Sequence, residues 1–151
     1  MWPVGYLSHV NPVELEIQTM TFVPNPTRGS KAMAVAPHSL AAQSAMAVMR
    51  EGGNAVEAMI SAAATIAAVY PHMNSIGGDG FWLISRPGYD PVAIDGCGAS
   101  ALGITLEGYR EQGLSSIPFR GGLAANTVAG TLSGWQLAQQ WSCSELGGQL
   151  P

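Results

Sequence analysis

The sequence has few charged residues. Asp, Glu, Lys and Arg make up 11% of its 151 residues, where a typical soluble domain carries about 25%. Hydrophobic residues make up 47%. A chain of this length can bury a core, but it must cover its surface with polar groups. The shortage of charge predicts that much of the apolar surface contacts another protein, or that these residues belong to a larger fold.

Basic residues are especially scarce. The chain has six Lys and Arg, scattered along its length, and a net charge of −4. A nucleic-acid-binding protein needs a concentrated cationic face that displaces counterions from phosphates. The composition therefore excludes nucleic acid as an expected partner.

Cysteine is also scarce. Cys97 and Cys143 form neither a disulfide framework nor a metal-ligand spacing. No cluster of histidine, cysteine and carboxylate residues has the spacing of a metal site. We therefore expect two thiols that are reduced or half-buried, and neither a metal nor a cofactor.

No apolar run is long enough for a membrane span. The most apolar segment, residues 55–70 (AVEAMISAAATIAAVY), has 16 residues, and a transmembrane helix needs about 20. It predicts a buried core helix. Residues 1–20 lack the cationic start and continuous apolar block of a secretory signal, because Pro3, Pro12 and two glutamates interrupt them. We therefore expect a cytoplasmic protein without a membrane partner.

Proline and glycine divide the chain. Residues 1–31 are rich in proline and predict an extended or poorly ordered leader, followed by one domain over residues 32–151. AMAVA at 32–36 predicts a short strand that stops at Pro37. Ser39 is the expected cap of a first helix that runs to about Glu51 and ends at a pair of glycines.

A second helix is predicted over residues 55–70, and Asn54 and Glu57 have the spacing of a capping box at its start. Further elements follow in the order strand, strand, helix, helix. The strands 81–85 and 91–95, joined by the turn RPGYD, predict a hairpin. The helices are 105–112, capped by Thr105, and 128–141, the last helical at least from Leu132. Such an order favours a layered α/β (α+β) domain whose sheet is unfinished.

The glycine-rich segment 75–81, SIGGDGF, leaves two interpretations open. It follows a helix and enters a strand, which is the reverse of the order in phosphate-binding loops. Its glycines could let backbones pack closely where a buried helix turns into a central strand. Alternatively the loop, with Asp79, also borders a substrate pocket.

Two further glycine-rich places carry candidate side chains. Cys97 lies in GCG directly after a predicted strand. As a nucleophile it would need a nearby base to form a thiolate, and no spacing ties His38 or His72 to it, so a structural or pocket-lining role is favoured. Arg120, in RGG, could clamp a carboxylate with its planar guanidinium, or it could be solvated or paired with an acid.

Residues 35–84 resemble the start of gamma-glutamyltranspeptidases, which are N-terminal-nucleophile hydrolases. In that family a helix ending in a GGNAVDA-type turn and a second small-residue helix lead to a GIGGGGF-type loop. The matching segments here are GGNAVEA and SIGGDGF. TVAGTLSGW at 127–135 is similar to a later TVPGTVAG-type segment, so the resemblance covers about residues 32–151.

The resemblance implies an αββα sandwich, of which these residues form an incomplete part. It also implies a proenzyme that cuts itself before a threonine, which then serves as nucleophile and, through its α-amine, as its own base. On this basis residues 1–151 are an N-terminal fragment of the large subunit, about the first quarter of the protein. We expect no catalytic residue in them and no activity without the missing C-terminal portion and small subunit.

One position departs from the family pattern. Typical members place an arginine after an IDF-type strand end to hold the glutamyl α-carboxylate, and here IDGCGAS puts Cys97 at that place. Losing that cation would remove a charge-assisted contact worth about 1.5–3 kcal/mol. The segment around SIGGDGF and the GxG after Asp95 are similar to the branch containing oxamate amidohydrolase and cephalosporin-acylase-like members.

That branch implies hydrolysis of a small acidic amide such as oxamate, with Arg120 as a replacement carboxylate clamp and Asp79 and Cys97 at the substrate pocket. A gamma-glutamyl substrate is the other possibility within the family. A different class of function is also open: a non-catalytic, stand-alone module that associates with another chain through its apolar helices.

Overall fold

A computed structural model describes residues 27–149 of the chain. Four helices and one two-stranded sheet follow each other in the order α1 Ser39–Arg50, α2 Ala55–Val69, β1 Gly80–Ile84, β2 Val92–Gly96, α3 Leu106–Glu111 and α4 Thr131–Leu146. The strands form an antiparallel hairpin in which Gly80 pairs with Gly96 and Ile84 with Val92. The predicted α+β class is confirmed, and the sheet within the described residues is limited to this hairpin.

Small side chains bring α1 and α2 into close contact. Ala41 and Ala45 of α1 are fully buried against Ala58 and Ala62 of α2. Alanine at these positions lets the two helix backbones approach closely, and the buried methyl groups form the first of two core clusters. Ile66 completes this cluster near the end of α2.

The second core cluster lies on the other side of α2. Val56 of α2, Ile94 of β2 and Ala138 of α4 are buried together, and Trp82 of β1 packs against them. The helix α2 is therefore covered on two sides, by α1 and by the hairpin with α4. Its remaining side is open, since Met59 is 43% exposed.

The ends of α1 and α2 are set by local hydrogen bonds. The predicted capping box of α2 is confirmed: Asn54 Oδ1 accepts from the amide of Glu57 at 3.1 Å, and Glu57 Oε2 accepts from the amide of Asn54 at 2.8 Å. Gly52, just after α1, has φ +98°, which glycine adopts without strain. The predicted Ser39 cap is wrong, because His38 Nδ1 accepts from the amide of Leu40 at 3.2 Å and thereby caps α1.

Two other boundaries differ from the predicted ones. Residues 32–36 are not a strand, although Val35 points out and its neighbours Ala34 and Ala36 pack on the first core cluster. No strand among residues 27–149 pairs with this segment, so it lacks the ladder of hydrogen bonds that defines a strand. The last helix runs to Leu146, five residues past the predicted end at Trp141, and Gly147 ends it in a left-handed conformation.

The predicted leader and domain limits stay predictions. Of residues 1–31, the structure describes 27–31, which form no helix or strand. Within the described part of the chain, none of the helices combines the length and apolar character needed to cross a bilayer. The cytoplasmic location also stays a prediction.

Asn54 also ties α2 to α4. Its Nδ2 donates to Ser142 Oγ at 2.7 Å, and Ser142 is fully buried. One side chain therefore caps a helix and supplies a buried hydroxyl with its partner, 88 residues away in the sequence.

We predict that Asn54→Ala lowers the free energy of unfolding of the intact protein by about 1–3 kcal/mol, since a cap and a buried hydrogen bond are lost together. The urea-unfolding midpoint measures the change. Asn74→Ala is the matched control, because Asn74 is exposed and such positions usually change stability by less than about 0.5 kcal/mol. Equal effects of the two substitutions would contradict the link between α2 and α4.

Candidate functional site

Three loop segments meet at one end of the hairpin. Residues 77–80 lead into β1, residues 96–101 leave β2, and residues 126–131 lead into α4. We call these three segments the junction. Residues from three segments that the sequence singled out, SIGGDGF, GCG and TVAGTLSGW, are therefore brought together by the fold.

Backbone hydrogen bonds hold the junction together. The carbonyl of Gly78 accepts from the amides of Gly130 and Thr131, each at 3.0 Å, and from the Thr131 hydroxyl at 2.7 Å. On the other side, the amide of Val128 donates to the carbonyl of Ala99 at 2.9 Å. The start of α4 is thus fixed to both the loop before β1 and the turn after β2.

Glycine is required where these backbones cross. A Cβ atom on Gly98 would overlap the carbonyl oxygen of Val128, and one on Gly130 would overlap the carbonyl oxygen of Gly96. In SIGGDGF, a Cβ on Gly80 would lie 3.2 Å from Thr131 Cα, whereas one on Gly78 would meet nothing within 4 Å. The close-packing interpretation of that segment therefore holds at its last glycine.

Asp79 and Cys97, two of the three predicted site residues, are in contact at the junction. Asp79 Oδ1 accepts from the amide of Gly98 at 3.0 Å, and the Cys97 thiol donates to Asp79 Oδ2 at 3.7 Å. A second carboxylate is close, because Asp95 Oδ1 accepts from the amide of Cys97 at 2.9 Å. The thiol therefore lies in an electronegative corner at the end of β2.

The third predicted residue, Arg120, is not part of this contact. It is exposed in the loop between α3 and α4, and its guanidinium carbon lies 5.5 Å from the centre of the Phe119 ring. Arg120 makes no hydrogen bond or ion pair with Asp79 or Cys97. Its guanidinium is available to a ligand, but the described residues do not place it beside the other two.

The corner around Cys97 opposes thiolate formation. Asp79 raises the pKa of the Cys97 thiol above its ordinary value through its negative charge. Desolvation, the hydrogen bond to Asp79 and the charge of Asp95 act in the same direction. Neither of the histidines that the structure describes makes a hydrogen bond to Cys97: His38 caps α1, and the His72 ring is in tilted contact with the Tyr70 ring, with 4.2 Å between their centres. The geometry therefore supports a pocket-lining thiol, and it opposes a nucleophilic one.

Two concave surfaces border the junction. A groove of about 390 Å³ runs between the end of β2 and α4, and Cys97, Ser133 and Leu137 line it. A smaller one of about 240 Å³ lies on the α2 side, where Asp79 and Trp135 line it. Within residues 27–149, no three metal-binding side chains form a group that could hold a metal ion.

Two residues of this site went unassigned in the sequence. The Thr131 hydroxyl bonds the start of α4 to the Gly78 carbonyl. The feature of the sequence that could have indicated this role is its position after a glycine at the start of a helix. Asp95 supports the Cys97 amide, and the signal was an aspartate two residues before it at a strand end, where such side chains commonly accept from the backbone.

Comparisons with known proteins identify the family. The gamma-glutamyltranspeptidase family model matches residues 41–144. Oxamate amidohydrolase proenzyme of Klebsiella pneumoniae is 60% identical over 119 residues, which are 79% of this chain and 22% of that protein. The glutathione hydrolase-like YwrD proenzyme of Bacillus subtilis is 41% identical over 108 residues, 71% of this chain and 20% of that protein.

Solved structures agree with the sequence comparisons. Gamma-glutamyltranspeptidase of Helicobacter pylori superimposes with a TM-score of 0.68 at 29% identity, over 80% of this chain and 34% of that one. The enzyme from Pseudomonas nitroreducens, solved in complex with L-DON, gives 0.66 at 30% identity, over 75% and 34%. The chain belongs to the gamma-glutamyltranspeptidase family, and it spans about a fifth of the length of the two curated relatives.

The packing at the junction predicts a cost for any side chain at Gly98. Gly98→Ala should destabilise the intact protein by about 1–3 kcal/mol, because the Val128 carbonyl must move to admit a methyl group. Gly103→Ala is the control, since a Cβ there meets nothing within 4 Å. Thermal unfolding of both variants measures the difference, and an unchanged unfolding temperature for Gly98→Ala would show that the turn is not packed this way.

The acidic corner predicts the pH profile of Cys97 alkylation. Because Asp79 raises the thiol pKa, iodoacetamide should modify Cys97 with an apparent pKa above that of an ordinary cysteine, and Asp79→Asn should shift the profile to lower pH. Peptide mass spectrometry follows Cys97, with the free and exposed Cys143 as internal reference. A profile that Asp79→Asn leaves in place would contradict the contact.

Proposed function

We propose that residues 1–151 form the N-terminal part of the large-subunit region of an amidohydrolase that acts on a small acidic amide of the oxamate type. The observation that carries the proposal is the Asp79–Cys97 contact at the end of β2. The resemblance places a carboxylate-binding arginine at position 97, and the chain has a thiol and a neighbouring carboxylate there instead. The 60% identity to oxamate amidohydrolase proenzyme supports the same substrate class.

Charge at the junction disfavours a glutamyl α-carboxylate beside Cys97. Asp79 and Asp95 both present carboxylates to this corner, so an anionic substrate group there would meet like charges. The carboxylate of an acidic amide would then bind elsewhere. Arg120 is the candidate clamp, because it is exposed and no acidic side chain within residues 27–149 pairs with it.

In this proposal the nucleophilic threonine lies outside residues 1–151. Its hydroxyl attacks the amide carbon, ammonia leaves, and water then cleaves the acyl-threonine ester to release the acid. The threonines at 65, 105 and 131 are committed to structure: Thr65 and Thr131 donate to backbone carbonyls, and Thr105 caps α3. Residues 27–149 supply the pocket wall and the scaffold behind it.

A second candidate is a non-catalytic module that binds another chain through apolar surface. One face of the hairpin is uncovered: Phe81 is 69% and Leu83 78% exposed. On the first proposal, the rest of the same sandwich covers this face. Catalytic activity of the protein separates the two candidates.

The test is ammonia release by the purified, full-length protein with oxamate and with a gamma-glutamyl amide. We expect hydrolysis of oxamate and little of the gamma-glutamyl amide. Arg120→Ala should raise KM for oxamate by about 10- to 150-fold, the equivalent of one charge-assisted contact. Arg110→Ala, an exposed arginine on α3, is the matched control.

Each arm can fail separately. No ammonia from either amide would favour the non-catalytic module. Efficient hydrolysis of the gamma-glutamyl amide would refute the specificity argument at Cys97. Equal KM values for the two arginine variants would remove Arg120 from the substrate site and leave the amidohydrolase assignment standing.

A further inference from the structure

Asp79 directly precedes β1, and both of its carboxylate oxygens contact the turn that follows β2. Oδ1 accepts the Gly98 amide at 3.0 Å, and Oδ2 lies 3.7 Å from the Cys97 sulfur. These contacts join residues 18 and 19 positions apart in the sequence. Asp79 is exposed, and both of its carboxylate oxygens nevertheless contact the turn that carries Cys97.

The turn over residues 96–99 is held from two directions. On the α4 side, Gly98 packs against the Val128 carbonyl and Ala99 accepts from the Val128 amide at 2.9 Å. On the hairpin side, Asp79 holds the Gly98 amide and the Cys97 side chain. Residues 96–99 also form part of the wall of the 390 Å³ groove, so Asp79 holds that wall from the hairpin side.

We propose that Asp79 is a positioning residue: by holding the Gly98 amide and the Cys97 side chain, it fixes the groove wall and thereby sets how tightly the amide substrate binds. This inference rests on the proposed function. Asp79 does not touch the reacting atoms in this scheme. Its removal should therefore weaken substrate binding and leave the chemical step nearly unchanged.

The replacement by asparagine distinguishes positioning from charge. Asparagine keeps an acceptor oxygen for the Gly98 amide and nearly the same shape, and it removes the negative charge. A positioning role predicts that Asp79→Asn keeps most of the substrate affinity that Asp79→Ala loses. A role in attracting a cationic substrate group predicts that both variants raise KM by the same factor.

The experiment uses the full-length protein with oxamate as the probe. Asp79→Ala should raise KM by about tenfold, as expected when the groove wall loses the one hydrogen bond that holds the Gly98 amide, with kcat within about threefold. Asp79→Asn should keep KM within about threefold of the wild type. Asp90→Ala is the matched control, because Asp90 is an exposed aspartate in the turn at the other end of the hairpin, and it should change neither constant.

A second readout needs no activity. Hydrogen–deuterium exchange of a peptide containing Gly98 should be faster in Asp79→Ala than in wild type and close to wild type in Asp79→Asn, since only alanine removes the acceptor. If wild type hydrolyses no amide, the proposed function fails, and exchange alone decides whether Asp79 holds the turn. Unchanged exchange in Asp79→Ala, or equal KM values for the alanine and asparagine variants, would overturn the inference.

Discussion

The structure depends on the close crossing of three backbones at the end of the hairpin. Gly98 lies against the Val128 carbonyl and Gly130 against the Gly96 carbonyl, where no side chain fits. Because the strands and α4 meet there at backbone distance, Thr131 can reach the Gly78 carbonyl and Asp79 can reach the turn after β2. A larger residue in place of these glycines would push the strands and α4 apart, and both the Thr131–Gly78 and the Asp79–Gly98 hydrogen bonds would break.

Small residues also explain the layers behind the junction. Ala58 and Ala62 of α2 contact α1, while Val56 on another side of the same helix contacts Ile94 and Ala138. One apolar helix thus joins two core clusters. Beside these clusters, one face of the hairpin is uncovered within the described residues, since Phe81 and Leu83 are exposed.

Electrostatics gives the junction its chemical character. A thiol beside Asp79 and Asp95 stays protonated to higher pH and donates a hydrogen bond, so Cys97 suits a pocket wall better than a nucleophile. The sequence identified Asp79 and Cys97 as candidates, because each lies in a glycine-rich segment at a strand boundary. The antiparallel pairing of Gly80 with Gly96 then places Asp79 beside Cys97. The sequence contained no reason to keep Arg120 apart, since its position depends on how distant elements pack.

Short-range chemistry determined much of this protein from sequence alone. The Asn54–Glu57 box, the Gly52 helix end, the hairpin and the Thr105 cap each rest on bonds or turns within a few residues, and all are present. The tertiary structure decided what depends on distant partners: 32–36 is no strand because no described strand pairs with it. The Asp79–Gly98 contact follows from the hairpin register, since Gly80 pairs with Gly96 and the next residues outward then lie side by side. Packing alone brought Thr131 to Gly78, because a contact across 53 residues leaves no local trace in the sequence.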